Sequence, residues 1–439
     1  MSGQRAQTDR PHLPARVFAL IASDQVLSQS SYFAVMPVLP LLLTLKLGDN
    51  QAQWVAWAIS ALTLMTRGGT LFVAPLLHRL SVRGCVRLAL SLIAVAYAVV
   101  ALSGNPWVLI IALGVAGLGF SVNGTGVRGF VLLATSDKPA QNRGFAVIQV
   151  VANCCAALGP ILGNIVLARG FYTPFLLGVS GVFVLAAILT PLAAPAELML
   201  NQGSLRPPLT LGIVRELVNT PSLRRITLAA TLGSILMGQF FSSFTLVFSG
   251  VADSPLMRAL FYTLNGALVV IIQLPVSQVV ERSLLRGSSV QSVLVAGVCI
   301  LGLSMPLFAA RSGTIGVVLV CCGVVLFSLG ETVFTPILNV AFANATEGRP
   351  VVESMNMRQI TSAAGESIGV WAGLSLLVSL TAHQFDILYW VGLFTLAAMT
   401  LLTLIPRLWR TNNASIALRV SNGDDRRSAD GEDRHRVHR

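Results

Sequence analysis

Long apolar stretches separated by short polar ones fill most of the chain. A helix that crosses a membrane needs about 20 mainly apolar residues, whereas a barrel strand alternates in polarity over about ten. The stretches are long and do not alternate, so the pattern predicts an all-α membrane protein with twelve transmembrane helices, called spans 1 to 12. Their predicted ranges are 16–45, 53–77, 86–104, 107–135, 145–168, 171–192, 226–249, 257–280, 288–309, 313–340, 357–381 and 386–406.

The composition agrees with this pattern and removes most other classes of protein. Of the 439 residues, 54% are hydrophobic and only 11% are charged. A soluble domain carries about 25% charged residues, so a soluble enzyme, a secreted disulfide scaffold and a disordered protein are excluded. The six cysteines lie within or beside apolar stretches and lack the spacing of metal ligands, so we expect them to be packing residues.

The basic residues are distributed unequally between the two sides of the predicted membrane. Twenty-four of the 30 lie on the side of the chain termini, with Arg67 and Arg128 inside spans. The four on the opposite side are Lys46, Arg169, Arg258 and Arg311. Positive residues mark cytoplasmic loops, so both termini are expected in the cytoplasm. This topology accounts for the net charge of +12, and the expected partner is the lipid bilayer rather than nucleic acid.

Polar segments divide the chain into two halves and two tails. The proline-containing stretch 193–225 is the predicted linker between a six-helix bundle at 16–192 and a second at 226–406. Residues 1–15 form an expected cytoplasmic N-terminal tail, and 407–439, with mixed charges and few apolar residues, an expected disordered cytoplasmic tail. The first apolar stretch is too long for a signal peptide and is interpreted as span 1.

An internal repeat relates the halves at an offset of 203 residues. The matched positions fall at equivalent places in each half, two in the loop after its second span, one in its fourth span and one in its fifth. They pair Arg79 with Arg282, Arg83 with Arg286, Arg128 with Glu331, and Gly163 with Glu366. Parallel repeats of six spans predict two pseudo-symmetric bundles about an axis along the membrane normal.

Two short motifs give the chain a family resemblance. The loop after span 2, residues 74–83, is similar to the signature Gly-x-x-x-Asp-Arg-x-Gly-x-Arg of the major facilitator superfamily, with Ala74, His78 and Ser81 as departures. Span 5 carries Gly159-Pro160-x-x-Gly163, which resembles the core of an exporter signature. With the twelve-span topology, the chain is identified as resembling the drug:proton antiporter branch of that superfamily.

The resemblance implies roles for particular residues. The family's loop after span 2 gates the cytoplasmic side, and Glu281 with Arg282 is its expected copy in the second half. The residues implied in gating are Arg79, Arg83, Gly159, Pro160, Gly163, Glu281 and Arg282. Arg128 in span 4 is similar to the buried arginine of proton-coupled members, and the family fold places spans 1, 2, 4 and 5 opposite spans 7, 8, 10 and 11.

Charged side chains inside the spans are the strongest functional signal. Asp24, Arg67, Arg128, Glu331 and Glu366 would each cost about 2.5–3.5 kcal/mol at the bilayer centre. All lie roughly 12–15 Å from a cytoplasmic helix end, so we expect them to line a cavity and couple transport to protons. Asp24, Arg67 and Arg128 are expected to cluster, with Asp24 carrying the proton. A static ion pair is the alternative, and simple hydration is the alternative for Glu366.

Polar and aromatic side chains on the facing spans predict where a substrate binds. Aromatic surface with scattered amides and hydroxyls suits an amphiphilic organic molecule, although the same groups also bond helices together. The predicted substrate-binding residues are Gln25, Gln29, Tyr32, Asn123, Arg128, Gln239, Phe240, Phe244, Tyr262, Asn265 and Glu331.

These observations predict a proton-coupled exporter of a drug-like molecule or secondary metabolite, including a siderophore or toxin. It would act by alternating access, as a monomer, in a bacterial inner membrane, with no cofactor and no metal. The sequence has no phosphate-binding glycine loop with lysine and no catalytic constellation, so neither ATP hydrolysis nor an enzyme is expected. The alternatives are an importer or facilitator of a polar or anionic metabolite, and a sensor or accessory protein that has lost transport.

Overall fold

The protein is described from a computed structural model that covers most of the chain. The described residues are 15–48, 51–77, 79–134, 138–193, 209–309, 313–346 and 351–399. His78, most of both predicted tails and the linker up to residue 208 lie outside them. The end of the bundle near Lys46 is called the predicted outer end, and the end near Arg79 the predicted inner end.

The first half consists of helices that match spans 1 to 6. Span 1 is built from three helical pieces joined by a π-helical turn and a bend, and the other five spans are single helices. They are α1 (Ala15–Asp24), the π turn Gln25–Gln29, α2 (Ser30–Val35), α3 (Leu39–Leu47), α4 (Ala52–Leu77), α5 (Val82–Leu102), α6 (Pro106–Ala134), α7 (Lys138–Ala168) and α8 (Tyr172–Ala193).

The second half begins with a short helix inside the predicted linker and continues through spans 7 to 12. Span 7 is divided into two helices, and the 3-10 turn Met305–Ala309 extends span 9. The elements are α9 (Leu211–Asn219), α10 (Pro221–Met237), α11 (Ser243–Val251), α12 (Pro255–Leu285), α13 (Val290–Ser304), α14 (Thr314–Ala345), α15 (Val351–Ala382) and α16 (Asp386–Met399).

The all-α prediction is confirmed: the described residues contain helices and no β-strand. Within that part of the chain, eight helices are long and apolar enough to cross a membrane, or nine if the bent pair of span 1 counts as one span. Each of the twelve predicted spans contains a helix. The three spans beyond those nine are represented by α4, by the divided span 7 and by α16. The predicted count is therefore consistent with the structure.

Proline explains the bend in span 1. The helix ends at Val35, and the chain turns by 54° before α3 begins at Leu39. Pro37 lies in this turn and Pro40 in the first turn of α3. A proline lacks the amide hydrogen that a continuing helix needs but is tolerated in a first turn, so the two prolines favour a stop followed by a restart.

Each half has its own hydrophobic core, and the cores meet between the halves. One core is formed by spans 1 to 6 together with Val370 and Leu374 of span 11, and the other by residues of the second half. Phe241 and Leu246 of span 7 pack against both cores. The halves also contact each other through α4 with α15, α7 with α12, and α3 with α11. The α3–α11 contact closes the space between the halves at the predicted outer end.

Glycines bring span 5 into backbone contact with span 1. A Cβ atom on Gly159 would lie 2.7 Å from the carbonyl carbon of Phe33, and one on Gly163 would lie 2.0 Å from the carbonyl oxygen of Ala34. The second half repeats the arrangement, since a Cβ on Gly369 of span 11 would lie 2.2 Å from the carbonyl oxygen of Ile235 in span 7. Small residues that allow close helix approach are a common packing device in membranes.

This contact predicts the effect of adding one methyl group. Gly163→Ala should destabilise the protein by about 1–3 kcal/mol, because spans 1 and 5 would have to move apart. The measurement is the thermal unfolding midpoint of purified protein in detergent. Gly178→Ala in span 6 is the matched control, because nothing lies within 4 Å of its Cβ position. Equal midpoints for the two variants would contradict the packing described.

Candidate functional site

Asp24 is a fully buried carboxylate at the end of α1. Its Oδ1 accepts a hydrogen bond of 2.7 Å from the Nδ2 of Asn123 in span 4. Its Oδ2 accepts one of 2.7 Å from the Nε2 of Gln25 and a longer one of 3.4 Å from the hydroxyl of Ser28. All of these donors are neutral, so the carboxylate is solvated by amide and hydroxyl groups.

The expected cluster of Asp24 with Arg67 and Arg128 is therefore not formed. Within the described part of the chain, neither arginine comes within 4.0 Å of the Asp24 carboxylate. Similar depth on neighbouring helices suggested the cluster, but depth does not fix the direction in which a side chain points. Arg67 points instead toward the second half, and Asp24 points toward Asn123.

A π-helical turn, Gln25–Gln29, follows Asp24 directly. Such turns are rare and occur frequently at functional sites because they widen the helix locally. Here the turn places Gln25 and Ser28 on the same side of span 1 as the carboxylate that they contact. Sequence reasoning missed the turn, and the unusual run of polar residues at 24–31 was the only signal for it.

An ion pair joins the two halves. The Nε of Arg67 in span 2 lies 2.7 Å from the Oε2 of Glu366 in span 11, with 52% of the arginine side chain and 15% of the glutamate exposed. Nearby, the Nε2 of Gln359 donates a 3.0 Å hydrogen bond to the hydroxyl of Thr70. Spans 2 and 11 are therefore held together by polar contacts within the membrane-spanning region.

More charges surround this pair. Arg128 and Arg358 each interact electrostatically with Arg67, and Glu331 interacts with both members of the pair. Within the described residues, no carboxylate lies within 4.0 Å of Arg128 or Arg358. The three arginines and two glutamates thus form one group of interacting charges, called the charge cluster, in which positive charge is in excess.

Sequence reasoning counted Arg358 among the basic residues of the cytoplasmic side, at the edge of span 11. The structure places it inside α15, next to Gln359, and its Nε is buried without a hydrogen-bond partner. The predicted span 11 began at residue 357, whereas α15 begins at Val351, so Arg358 lies about two turns inside the helix rather than at its cytoplasmic edge. A span that extends past the hydrocarbon layer is hard to detect from hydropathy alone.

Glu331 is the other carboxylate of the cluster. It is half-buried, and its Oε2 accepts a 3.1 Å hydrogen bond from the Nδ2 of Asn265 in span 8. Asn265 also donates to the hydroxyl of Ser328, at 2.9 Å. The contact resembles that of Asp24 with Asn123, because in each half an asparagine on another span donates to a buried or half-buried acid.

Several residues predicted to bind substrate are fully buried and already have partners. The Nε2 of Gln239 donates to the carbonyls of Ile235 and Gly369, and its Oε1 accepts from Ser243 and Tyr389. These bonds stabilise the break between α10 and α11. Phe244 stacks on Phe308, and Tyr262 bonds to Thr245, both within the second core. In this conformation these three buried side chains pack behind the surface of the site.

Other predicted substrate residues are accessible between the halves. Gln29, Tyr32 and Phe240 are half-buried, and Arg128 is exposed. Phe241, which was not predicted, packs against Tyr32 and Phe33 of span 1, with ring centroids 6.4 and 6.2 Å apart. This aromatic contact joins spans 1 and 7 between the charge cluster and the predicted outer end.

The residues implied in gating lie mainly at the predicted inner end. Arg79, Glu281 and Arg282 are exposed there, and Arg83 is half-buried in the first turn of α5. Pro160 is buried inside α7, together with the packed glycines Gly159 and Gly163. Beside it, the hydroxyl of Thr263 in span 8 donates a 2.6 Å hydrogen bond to the carbonyl of Ala157 and so joins spans 5 and 8.

Two helical bundles that share a charged interface inside a membrane define a membrane transporter rather than an enzyme. The model of the Major Facilitator Superfamily matches residues 25–352, and the chain belongs to that family. The resemblance inferred from the motifs is confirmed.

Named relatives and solved structures agree with this assignment. The chain is 25% identical over 386 residues to multidrug resistance protein MdtH of Photorhabdus laumondii subsp. laumondii, covering 86% of this chain and 92% of the relative. It is 22% identical over 355 residues to MdtH of Proteus mirabilis, covering 80% and 84%. The fold is similar to a POT family transporter in complex with 5-aminolevulinic acid, with a TM-score of 0.72, 14% identity and coverage of 90% and 97%. The nucleoside transporter NupG gives a TM-score of 0.69, with 12% identity and coverage of 90% and 99%.

The ion pair between the halves predicts the outcome of a charge swap. Arg67→Glu should lower stability by about 1 kcal/mol, because it faces Glu366 with a like charge at a half-exposed position. The double variant Arg67→Glu/Glu366→Arg should recover most of the loss. Thermal unfolding of the purified variants measures both effects. Arg282→Glu, exposed at the predicted inner end, is the control and should change little; failure of the swap to recover stability would argue against the pair.

Proposed function

We propose that the protein is a proton-coupled exporter of an amphiphilic small molecule in a bacterial inner membrane. The observation that carries the proposal is Asp24, a fully buried carboxylate in span 1 that contacts neutral donors and, among the described residues, no cation. The family assignment and the similarity to proteins named for multidrug resistance support the direction and the class of cargo. Siderophores and toxins are amphiphiles of the same general kind.

The proton step follows from the surroundings of Asp24. A buried charge without a counter-charge is costly, and binding a proton removes that charge. Asn123 and Gln25 can turn their amide groups to donate to a carboxylate or to accept from a carboxyl hydroxyl. The site therefore accommodates both forms, and the water access of span 1 would decide which form is present.

The proposal assigns this conformation to a state that opens toward the predicted inner end, which faces the cytoplasm in the predicted topology. At the predicted outer end, α3 contacts α11 and Phe241 packs against Tyr32 and Phe33. Toward the predicted inner end, Arg128 and Gln149 on spans 4 and 5 are exposed. A cargo molecule would enter from the inner side, and its release would require the contact between spans 1 and 7 to open. Proton binding at Asp24, about two helical turns from Tyr32, is positioned to favour that change.

The cargo surface combines an aromatic wall with charge. Tyr32 and Phe240 offer ring surface, Gln29 offers an amide, and the charge cluster lies across the same space. An organic molecule with an apolar body and a polar or ionised group fits such a surface. We expect the protein to function as a monomer, because both halves of the site belong to one chain.

The proposal predicts that Asp24→Asn abolishes proton-coupled efflux while the protein is still made and folded. The asparagine retains the shape of the site but cannot carry a proton. Its Nδ2 replaces one accepting oxygen, so Asn123 or Gln25 has to turn its amide group to accept from it. A panel of amphiphilic compounds is first screened for efflux from cells, with and without a protonophore. For a compound that responds, proton movement is then followed with a pH-sensitive dye enclosed in proteoliposomes.

Asp253→Asn, at an exposed outer-loop position, is the matched control and should behave as the wild type. A loss of coupled transport to the background level is expected for Asp24→Asn, with an unchanged unfolding midpoint. Undiminished proton movement in this variant would remove Asp24 from the role and leave Glu331 as the next carboxylate to test.

A second candidate function is uptake of an anionic metabolite. The observation that favours it is the excess of arginine in the charge cluster, since Arg128 and Arg358 have no carboxylate within 4.0 Å among the described residues. Guanidinium groups bind carboxylates and phosphates strongly. The direction of transport separates the two functions.

Inverted membrane vesicles provide that measurement. If the protein is an exporter, vesicles that are acidic inside should accumulate the responding compound, and dissipating the gradient should abolish the accumulation. Accumulation only in right-side-out vesicles, lost in Arg358→Gln but not in Arg286→Gln, would favour uptake of an anion instead. Arg286 is exposed at the predicted inner end and serves as the control.

A further inference from the structure

The helix α9, Leu211–Asn219, lies in the predicted linker between the halves and has no part in the transport cycle proposed above. Thr210 caps its first turn, because its hydroxyl accepts a 3.3 Å hydrogen bond from the amide of Ile213. The helix ends at Asn219, and Pro221 starts α10. A helix of nine residues is too short to be stable alone in water, so α9 depends on the packing of its apolar side.

The apolar side of α9 is divided into two parts. Ile213 and Leu217, one turn apart, pack into the second core, where α9 contacts α10 and α15. Leu211, Val214 and Val218 follow the spacing of one helix face and are called the open stripe. Their exposed fractions are 89%, 39% and 56%. The bundle therefore covers one part of the apolar side and leaves the open stripe uncovered beside it.

The connection to span 7 places α9 near the level of the lipid headgroups. Only Thr220 separates α9 from α10, and the apolar stretch of span 7 begins at residue 226. The residues of α10 before that point extend over about 8 Å. The headgroup layer on each side of the hydrocarbon core is about 5–8 Å thick. We therefore expect α9 at the membrane surface of the predicted inner end.

Three different surroundings meet around α9. One side of the helix contacts the bundle, and on another side Gly212, Arg215 and Asn219 are exposed. The open stripe lies between these two sides of the helix. Water would leave its apolar side chains unburied, whereas the bilayer is the apolar phase that can cover them at the membrane surface. Amphipathic helices that lie in the plane of the interface are divided in the same way.

The charges near the open stripe favour anionic lipid. Arg215 follows Leu211 by one helical turn, so it borders the stripe on its polar side. From there a long basic side chain can extend to the headgroups. Residues 209–228 carry three basic side chains and one acidic side chain, namely Arg215, Arg224, Arg225 and Glu216. Such an excess of basic residues attracts anionic phospholipid at a membrane surface.

We propose that α9 is a binding surface for anionic phospholipid in the leaflet at the predicted inner end. The acyl chains cover the open stripe, and the headgroups lie against Arg215. Lipid bound in this way holds the linker, and with it the inner end of span 7, at the membrane surface. The surface acts independently of the proton step at Asp24, so it can be tested without a transport assay.

Photocrosslinking identifies what covers the open stripe. In the full-length protein, p-benzoylphenylalanine replaces Val218, whose side chain is exposed. The protein is irradiated in nanodiscs of equal parts phosphatidylglycerol and phosphatidylcholine, and mass spectrometry identifies the adduct. We expect a lipid adduct in which phosphatidylglycerol is enriched about two- to fivefold, in line with the attraction of one arginine. The same replacement at Asn219, exposed on the polar side, is the matched control and should give little lipid adduct.

Variants of Arg215 test the selection of charge. Arg215→Gln, combined with the photoprobe at position 218, should bring the lipid ratio close to that of the mixture. Arg215→Lys keeps the charge and should preserve the enrichment. An adduct to residues 194–208, to another segment of the chain or to a second copy would show that protein covers the stripe and would overturn the proposal. Equal lipid adducts at positions 218 and 219, or no enrichment of phosphatidylglycerol, would also overturn it.

Discussion

The organisation of this protein depends on the cost of placing charge inside a bilayer. Arg67 and Glu366 reduce that cost for each other, and because they come from different halves, their pairing also fixes how spans 2 and 11 meet. Arg128, Arg358 and Glu331 extend the same electrostatic environment without closing further ion pairs among the described residues. The result is a polar interior bounded by two apolar cores, which is the arrangement that a membrane carrier needs.

Much of this architecture could be predicted from the sequence because hydrophobicity and charge report directly on the bilayer. The lengths of the apolar stretches predict the transmembrane helices, and the positions of Arg128, Glu331 and Glu366 indicate an interior shared by both halves. Pairing could not be predicted in the same way. Which face of span 2 carries Arg67 depends on how two helices pack, and depth along each helix contains no information about that rotation. The cluster expected around Asp24 was wrong for this reason.

Local deviations from helical geometry could not be predicted from the hydrophobic pattern either. The π turn after Asp24 and the break after Met237 are accompanied by hydrogen bonds between residues distant in sequence, Asn123 with Asp24 and Gln239 with Gly369. The sequence analysis predicted that these amides contact a ligand. In the structure, Asn123 donates a hydrogen bond to the Asp24 carboxylate, and Gln239 bonds across the break in span 7. The same residue type can serve either purpose, and only the position of its neighbours distinguishes the two.

The glycine contact between spans 1 and 5 has a mechanical consequence. With Gly163 resting on the main chain of Ala34, no flexible side chain separates the two helices to absorb displacement. Sliding of span 1 against span 5 at this contact would produce a steric clash, so we expect the contacting segments of the two helices to move together. We expect a displacement of span 1 to be carried by span 5 to its contact with span 8, where Thr263 bonds to the carbonyl of Ala157.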